Sequence, residues 1–146
     1  MDYPDTSFLA SLYLNDQNGE TAIKYAEDHG GPFLLTPLTR IEMSNAFRLW
    51  QFRKILSVAK VRSIFRDVAE DIASGFLKEA PVAWNDLLTA AEDISARHTP
   101  ETGNRTLDIL HVAAAKSLGS KVFLSFDSRQ RILAQRVGLE VIPALD

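Results

Sequence analysis

Four acidic residues stand where predicted strands end or predicted helices begin. Asp5 and Asp127 each follow a short apolar run and precede a helical pattern, while Glu42 and Asp108 lie early in two further helices. In an open parallel α/β sheet, the carboxyl ends of the strands form the usual ligand crevice. Because converging carboxylates repel one another, a bound cation stabilises such a group. With oxygen ligands only and no cysteine, Mg²⁺ or Mn²⁺ is the natural candidate.

Each acid taken alone also fits a purely structural role. Asp127 fits a helix N-cap, and Thr39 followed by Glu42 fits a capping box. Asp108 fits a partner for the helix dipole, and Asp5 fits another cap. For any single residue the structural role is the more common one, so only the group of four favours a metal site.

Short apolar runs alternate with longer stretches of helical periodicity, which predicts βαβ units around a parallel sheet and an α/β fold class. Strands are predicted at residues 2–5, 33–36, 76–82, 121–126 and 141–142. Helices are predicted around residues 8–13, 20–28, 85–97, 107–118 and 128–136, with a helical pair over 37–74. The segment 98–104 is rich in turn-forming residues and predicts a loop.

Composition limits the class of protein. A chain of 146 residues with 46% hydrophobic content predicts one domain spanning residues 1–146. Sixteen basic residues against nineteen acidic ones leave a net charge of −3, so contacts with nucleic acid have to be local. The absence of cysteine excludes disulfides and thiolate metal sites. Without a leader peptide or a run of about 18 apolar residues, the sequence predicts a cytoplasmic protein with no membrane contact.

Four segments resemble motifs of the PIN-domain family, and most closely its VapC-like branch, the toxins of bacterial and archaeal toxin–antitoxin pairs. They are YPDTSFL at 3–9, LTRIEMSNA at 38–46, RTLDILHVAAA at 105–115 and FLSFDSRQ at 123–130. The segments follow the family's order, and the likeness covers nearly the whole chain. Two positions depart from the common pattern. Ser125 stands where many members have threonine, and Pro4 replaces an apolar residue and predicts a shortened first strand.

The resemblance implies a three-layer α/β/α fold with a mostly parallel central sheet and a Mg²⁺-dependent endoribonuclease activity. It carries over a set of catalytic, metal-binding acids and two supporting hydroxyls. These are Asp5, Glu42, Asp108 and Asp127, supported by Ser7 and Ser125. Arg40 and Arg105 adjoin the acidic motifs and are predicted to contact RNA phosphates. His111 lies three residues after Asp108, and both a role at the crevice and a packed position against the sheet stay open.

The resemblance also implies partners: a small antitoxin that wraps the helical pair near residues 48–65 and reaches the acidic crevice, and a homodimer. Apolar residues in this segment exceed the needs of one buried helix face, which is consistent with a partner surface. They are Leu49, Trp50, Phe52, Ile55, Leu56, Val58 and Val61. Two other functions stay open, a PIN nuclease for RNA maturation and a catalytically silent PIN-fold protein-binding module. The presence of all four acids argues against the silent module.

Overall fold

The computed structural model describes residues 1–14 and 16–144 of the chain. Its strands are β1 (Tyr3–Pro4), β2 (Phe33–Leu35), β3 (Leu77–Glu79), β4 (Val122–Leu124) and β5 (Glu140–Ile142). Its helices are α1 (Thr6–Leu14), α2 (Gly19–His29), α3 (Pro37–Phe52), α4 (Val58–Ser74), α5 (Trp84–Thr102), α6 (Thr106–Ser117) and α7 (Ser128–Arg136). None of the described helices has the length and apolar character needed to cross a membrane.

All strand pairs in the described residues are parallel. β4 lies between β1 and β5, and β2 pairs with β3. A single bridge between Asp2 and Phe33 joins the two groups, so that the strands lie in the order β3, β2, β1, β4, β5. Along the sequence, β2 and β3 are therefore added on one side of β1, and β4 and β5 are added on its other side. The direction reverses between β1 and β4, and a ligand crevice is expected at the carboxyl ends of these two strands.

Pro4 explains why β1 and β2 share only one bridge. Alternate residues of a parallel strand bond to opposite neighbours. The amide of Asp5 donates to Leu124 O on β4 at 2.9 Å, so the preceding Pro4 nitrogen faces β2. Proline has no amide hydrogen to donate there. The shortened first strand that Pro4 predicts is confirmed, since β1 has two residues.

The sheet separates two hydrophobic clusters, because successive strand residues point to opposite faces. Phe123 packs in one cluster with residues of α5, α6 and α7, and the adjacent Leu124 packs in the other with residues of α1 to α4. Helices therefore cover both faces of the sheet. The predicted three-layer α/β/α architecture with a central parallel sheet is confirmed.

Helix α5 continues to Thr102, so the prediction of a loop over residues 98–104 is wrong. Pro100 lies in its last turn, and the carbonyl that a proline at this position leaves without an amide partner belongs to Ala96. Both residues are exposed, so water can solvate that carbonyl. The helix ends only at Gly103, whose φ of 62° lies in the left-handed region and whose amide donates to Thr99 O at 2.9 Å.

The start of α3 also differs from one of the two interpretations of Glu42. Thr36 is the N-cap of α3, and its Oγ1 accepts a hydrogen bond from the amide of Thr39 at 3.1 Å. Strand β2 consequently ends at Leu35, one residue earlier than predicted. Because Thr39 lies inside the first turn, the capping-box interpretation of Thr39 and Glu42 is wrong.

Candidate active site

Asp5 is a fully buried carboxylate directly after β1. Ser7 Oγ donates to its Oδ1 and Ser125 Oγ to its Oδ2, each at 2.6 Å, and the amide of Phe8 donates to Oδ1 at 2.9 Å. Burial raises the pKa of Asp5, and the hydrogen bonds from Ser125, Ser7 and Phe8 act in the opposite direction. The protein therefore keeps a costly carboxylate at the switch point of the sheet and holds both of its oxygens in place.

The two serines connect Asp5 to the segment that follows β4. Ser7 Oγ accepts a hydrogen bond from the amide of Phe126 at 2.8 Å, and Ser125 Oγ accepts one from the amide of Asp127 at 3.0 Å. Each hydroxyl thus donates to the buried carboxylate and accepts from the backbone between β4 and α7. This network fixes the backbone of Asp127 relative to Asp5.

Asp127 and Asp108 bind backbone amides at the starts of their own helices. Asp127 Oδ1 accepts from the amides of Arg129 and Gln130 at 2.9 and 3.0 Å, and the N-cap interpretation of Asp127 is confirmed. Asp108 Oδ2 accepts from the amide of Arg105 at 2.9 Å in the first turn of α6. Among the described residues, hydrogen-bond donors reach one oxygen of each carboxylate. The other oxygen of each can bind a cation.

Glu42 bonds to His111, one turn after Asp108 on α6. His111 Nε2 contacts the Glu42 carboxylate, while His111 Nδ1 lies 2.9 Å from the hydroxyl of Tyr3. His111 is fully buried with both nitrogens satisfied, which is the packed position that the sequence left open. Burial works to raise the pKa of Glu42, but the hydrogen bond and charge attraction from His111 outweigh it and lower that pKa. The buried Thr6 hydroxyl lies near Glu42 but forms no hydrogen bond of normal geometry with any described residue.

Tyr3 provides a second link between the acids. Burial raises the pKa of Tyr3 to about 12, and the nearby charges of Asp5 and Glu42 act in the same direction. Both carboxylates are therefore close to one phenol. Sequence analysis missed Tyr3 and Thr6, because an aromatic residue in a strand and a threonine at a helix start give no signal beyond packing and capping.

The structure brings the acids to one edge of the sheet as two connected pairs. Asp5 and Asp127 share Ser125, and Glu42 and Asp108 are connected through His111 and helix α6. Within residues 1–14 and 16–144, no three acidic or histidine side chains stand in a group already able to hold a metal ion. The edge predicted for the site is occupied by these residues, but their carboxylates do not meet at one point.

A family model described as PIN domain matches residues 3–136, a span that includes all four acids. The chain belongs to the PIN-domain family. Proteins of this family are generally nucleases, and PIN nucleases generally use divalent metal ions.

Solved structures share the fold of this PIN domain across almost its whole length. VapC20 of Mycobacterium tuberculosis, a toxin that cleaves the sarcin-ricin loop, is 21% identical with a TM-score of 0.68, covering 98% of this chain and 100% of VapC20. FitAcB from Neisseria gonorrhoeae is 16% identical with a TM-score of 0.65, covering 97% and 96%. PAE2754 from Pyrobaculum aerophilum is 18% identical with a TM-score of 0.58, covering 97% and 90%. At these identities the likeness establishes the fold. A search of curated proteins returned no match.

The two arginines predicted to contact phosphate lie in different surroundings in this PIN domain. Arg40 pairs with Glu79 beyond the carboxyl ends of β2 and β3, and their side chains are 58% and 55% exposed. An ion pair this exposed is weak, so a phosphate can compete with Glu79 for Arg40. Arg105 is exposed directly before α6 and next in space to Asp108. Contact with RNA stays a prediction for both residues.

A pocket of about 290 Å³ lies beside Asp127. Ser7, Asp16, Trp50 and Asp127 are among its lining residues. It therefore connects the acidic edge with the carboxyl end of α3. Asp16, whose Oδ2 accepts from Ser11 Oγ at 3.1 Å, is a further carboxylate near the crevice. Sequence analysis missed it, because an aspartate beside turn residues is typical of an ordinary loop.

Proposed function

We propose that this PIN domain is a Mg²⁺-dependent endoribonuclease that hydrolyses RNA phosphodiester bonds, with Mn²⁺ able to replace Mg²⁺. One observation carries the proposal: the buried carboxylate of Asp5, held by two serine hydroxyls at the switch point of the sheet. Buried carboxylates are rare unless they are paired or functional. Membership of a family of nucleases supports the same activity.

The donors at this edge fit a hard divalent cation. The candidate ligands are carboxylate oxygens, which Mg²⁺ and Mn²⁺ prefer. Among the residues that the structure describes, hydrogen-bond donors reach one carboxylate oxygen of Asp108 and one of Asp127, so the second oxygen of each is available to an ion. A positive charge beside Asp5 would also offset the burial that raises its pKa. Because the acids stand as two pairs, binding an ion requires side chains to turn toward one another.

In the proposed mechanism, Asp5 and Asp108 are the main ligands, and Glu42 and Asp127 complete the shell or orient the attacking water. A bound Mg²⁺ lowers the pKa of a water molecule and offsets the charge that develops on the phosphate. Ser7 and Ser125 keep the Asp5 carboxylate in one orientation. Arg40 and Arg105 hold the RNA backbone through its phosphates.

We further propose that the protein is a cytoplasmic toxin that a small antitoxin silences, and that it forms a homodimer. VapC20, which shares the fold, is itself a toxin that cleaves the sarcin-ricin loop. The end of α3 and the start of α4 expose Phe52, Ile55 and Val58 at 82%, 65% and 56%. Residues 43–66 contain six basic residues and no acidic one. This surface suits an acidic, amphipathic antitoxin segment.

The first experiment measures cleavage of a mixed RNA pool by folded protein purified free of any antitoxin. Wild type should cleave RNA in Mg²⁺ or Mn²⁺ and should stop in chelator. The cleavage rate of Asp5→Asn should fall by more than about 100-fold, because loss of an outer-shell metal partner alone costs up to about that much and Asp5 is proposed as a direct ligand. Asp2→Asn is the matched control, because Asp2 precedes the same strand and its carboxylate accepts a hydrogen bond from the Tyr25 hydroxyl rather than from Ser7 or Ser125. Wild-type protein that cuts no RNA would favour the protein-binding module.

A second experiment separates the toxin from an RNA-maturation nuclease. Expression of wild type in a bacterial host should stop growth, whereas Asp5→Asn expressed at the same level should not. Normal growth with wild-type protein that cleaves RNA in the test tube would favour the maturation nuclease.

A further inference from the structure

A buried chain of polar side chains leads from the interior of the protein to Glu42. The hydroxyl of Tyr3 lies 2.9 Å from His111 Nδ1, and His111 Nε2 bonds the Glu42 carboxylate. On its other side, the Tyr3 hydroxyl lies 3.3 Å from Thr36 Oγ1 and 3.2 Å from Thr39 Oγ1. Tyr3 and His111 have no exposed surface, whereas the side chain of Glu42 is 30% exposed. The chain thus begins in the core and ends at the crevice.

Each link of this chain joins a group that can donate a hydrogen bond to one that can accept it. A carboxylate only accepts hydrogen bonds, so Nε2 of His111 carries the hydrogen that faces Glu42. The other nitrogen, Nδ1, accepts from the Tyr3 hydroxyl when the ring is neutral and donates to the Tyr3 oxygen when the ring is protonated, so the link to Tyr3 exists in both forms. The Tyr3 oxygen also lies within hydrogen-bond distance of the hydroxyls of Thr36 and Thr39, which are 3.0 Å from each other.

We propose that Tyr3 and His111 are positioning residues, which hold the carboxylate of Glu42 at the acidic edge through the hydrogen bonds that link Tyr3 to His111 and His111 to Glu42. The role of Glu42 as a metal ligand rests on the proposed function, but the chain of hydrogen bonds does not. A glutamate side chain has several rotatable bonds, and an anchored carboxylate loses less freedom when it binds an ion. Outer partners of metal ligands commonly contribute about 10- to 100-fold to metal affinity.

The metal-binding test compares Tyr3→Phe with Tyr13→Phe. Tyr3→Phe removes one hydroxyl and keeps the ring that stacks on Phe123 at 5.6 Å. Tyr13→Phe removes a hydroxyl that donates to Asp71 at 2.6 Å and takes no part in the chain. By calorimetry, the Kd for Mn²⁺ should rise about 10-fold or more in Tyr3→Phe and stay near the wild-type value in Tyr13→Phe. A wild-type Kd in Tyr3→Phe, or an equal loss in both variants, would overturn the proposal.

A second test needs no metal and no RNA. In the metal-free protein at pH 8, nitrogen-15 NMR should find the ring hydrogen of His111 on Nε2, protected from exchange, and Nδ1 without a hydrogen. Tyr3→Phe should shift the Nδ1 resonance, and Glu42→Leu should remove the protection of the Nε2 hydrogen. A neutral ring with its hydrogen on Nδ1 would overturn the proposal. If wild type binds no Mn²⁺, the proposed function fails, and the NMR result alone decides whether the hydrogen-bonded chain exists.

Discussion

Removing the Ser7 hydroxyl has an effect on stability that follows from two hydrogen bonds. Ser7 Oγ donates to Asp5 Oδ1 at 2.6 Å and accepts from the amide of Phe126 at 2.8 Å. The bond to a charged carboxylate contributes about 1.5–3 kcal/mol, and the bond to the neutral amide contributes about 1 kcal/mol. Ser7→Ala should therefore lower the free energy of unfolding by about 3 kcal/mol.

A double-mutant cycle with Asp5→Asn isolates the charged part of that loss. An asparagine oxygen accepts a neutral hydrogen bond of about 1 kcal/mol, so Ser7→Ala should cost about 2 kcal/mol in the Asp5→Asn background. The coupling between the two positions is then about 1 kcal/mol. Urea unfolding of wild type, the two single variants and the double variant at pH 7 measures it.

Ser11→Ala is the matched control for this cycle. Ser11 lies one turn further along α1 and donates to Asp16 rather than to Asp5. Its effect should add to that of Asp5→Asn without coupling. A coupling between Ser7 and Asp5 within about 0.3 kcal/mol of zero would refute the reasoning, because independent sites add to within that margin.

Four further outcomes concern the charge of Asp5, the metal, the core and the exposed surface. Burial raises the pKa of Asp5, so the stability that comes from its protonated form is present at low pH and is lost as pH rises through the folded-state pKa. In unfolding experiments without metal, the free energy of unfolding of Asp5→Asn should therefore rise relative to that of wild type as the pH approaches neutral. Mg²⁺ at about 100 times its Kd should stabilise wild type by about 2.7 kcal/mol, roughly 5–10 °C in Tm, and Asp5→Asn much less, by scanning fluorimetry. Phe47→Ala should cost about 3–5 kcal/mol on urea unfolding, because Phe47 is fully buried between Trp50 and Phe65. Phe52→Ser should change stability by less than about 0.5 kcal/mol, since Phe52 is 82% exposed, and should weaken capture of a co-expressed antitoxin.

Elements with strong local signals could be predicted from the sequence alone. Helix α7 spans Ser128–Arg136, as predicted, because Asp127 caps its start and Gly138 follows its end with a φ of 88°. The end of α5 was predicted wrongly, because Pro100 is a strong local stop signal. Its position in an exposed last turn lets water replace the lost hydrogen bond, and no local pattern records that exposure.

The four acids could be proposed from their motifs, but their partners could not. Ser125 and Asp5 are 120 residues apart, and Tyr3 and His111 are 108 residues apart, yet each pair forms a buried hydrogen bond. Such contacts arise from strand order and helix packing, which the spacing of residue types along the chain does not encode. The replacement of threonine by serine at position 125 retains the hydroxyl that donates to Asp5 at 2.6 Å.

The position of Asp5 is costly for folding, which argues that function retains it. The residue follows the central strand, where its neighbours Tyr3 and Phe8 are fully buried core residues. An apolar side chain at position 5 would avoid burying a charge, whereas the protein uses two serine hydroxyls and a backbone amide to support this carboxylate. Despite these three donors, burial still raises its pKa. A group that the fold has to stabilise so extensively is best explained by a positively charged ligand that completes its surroundings.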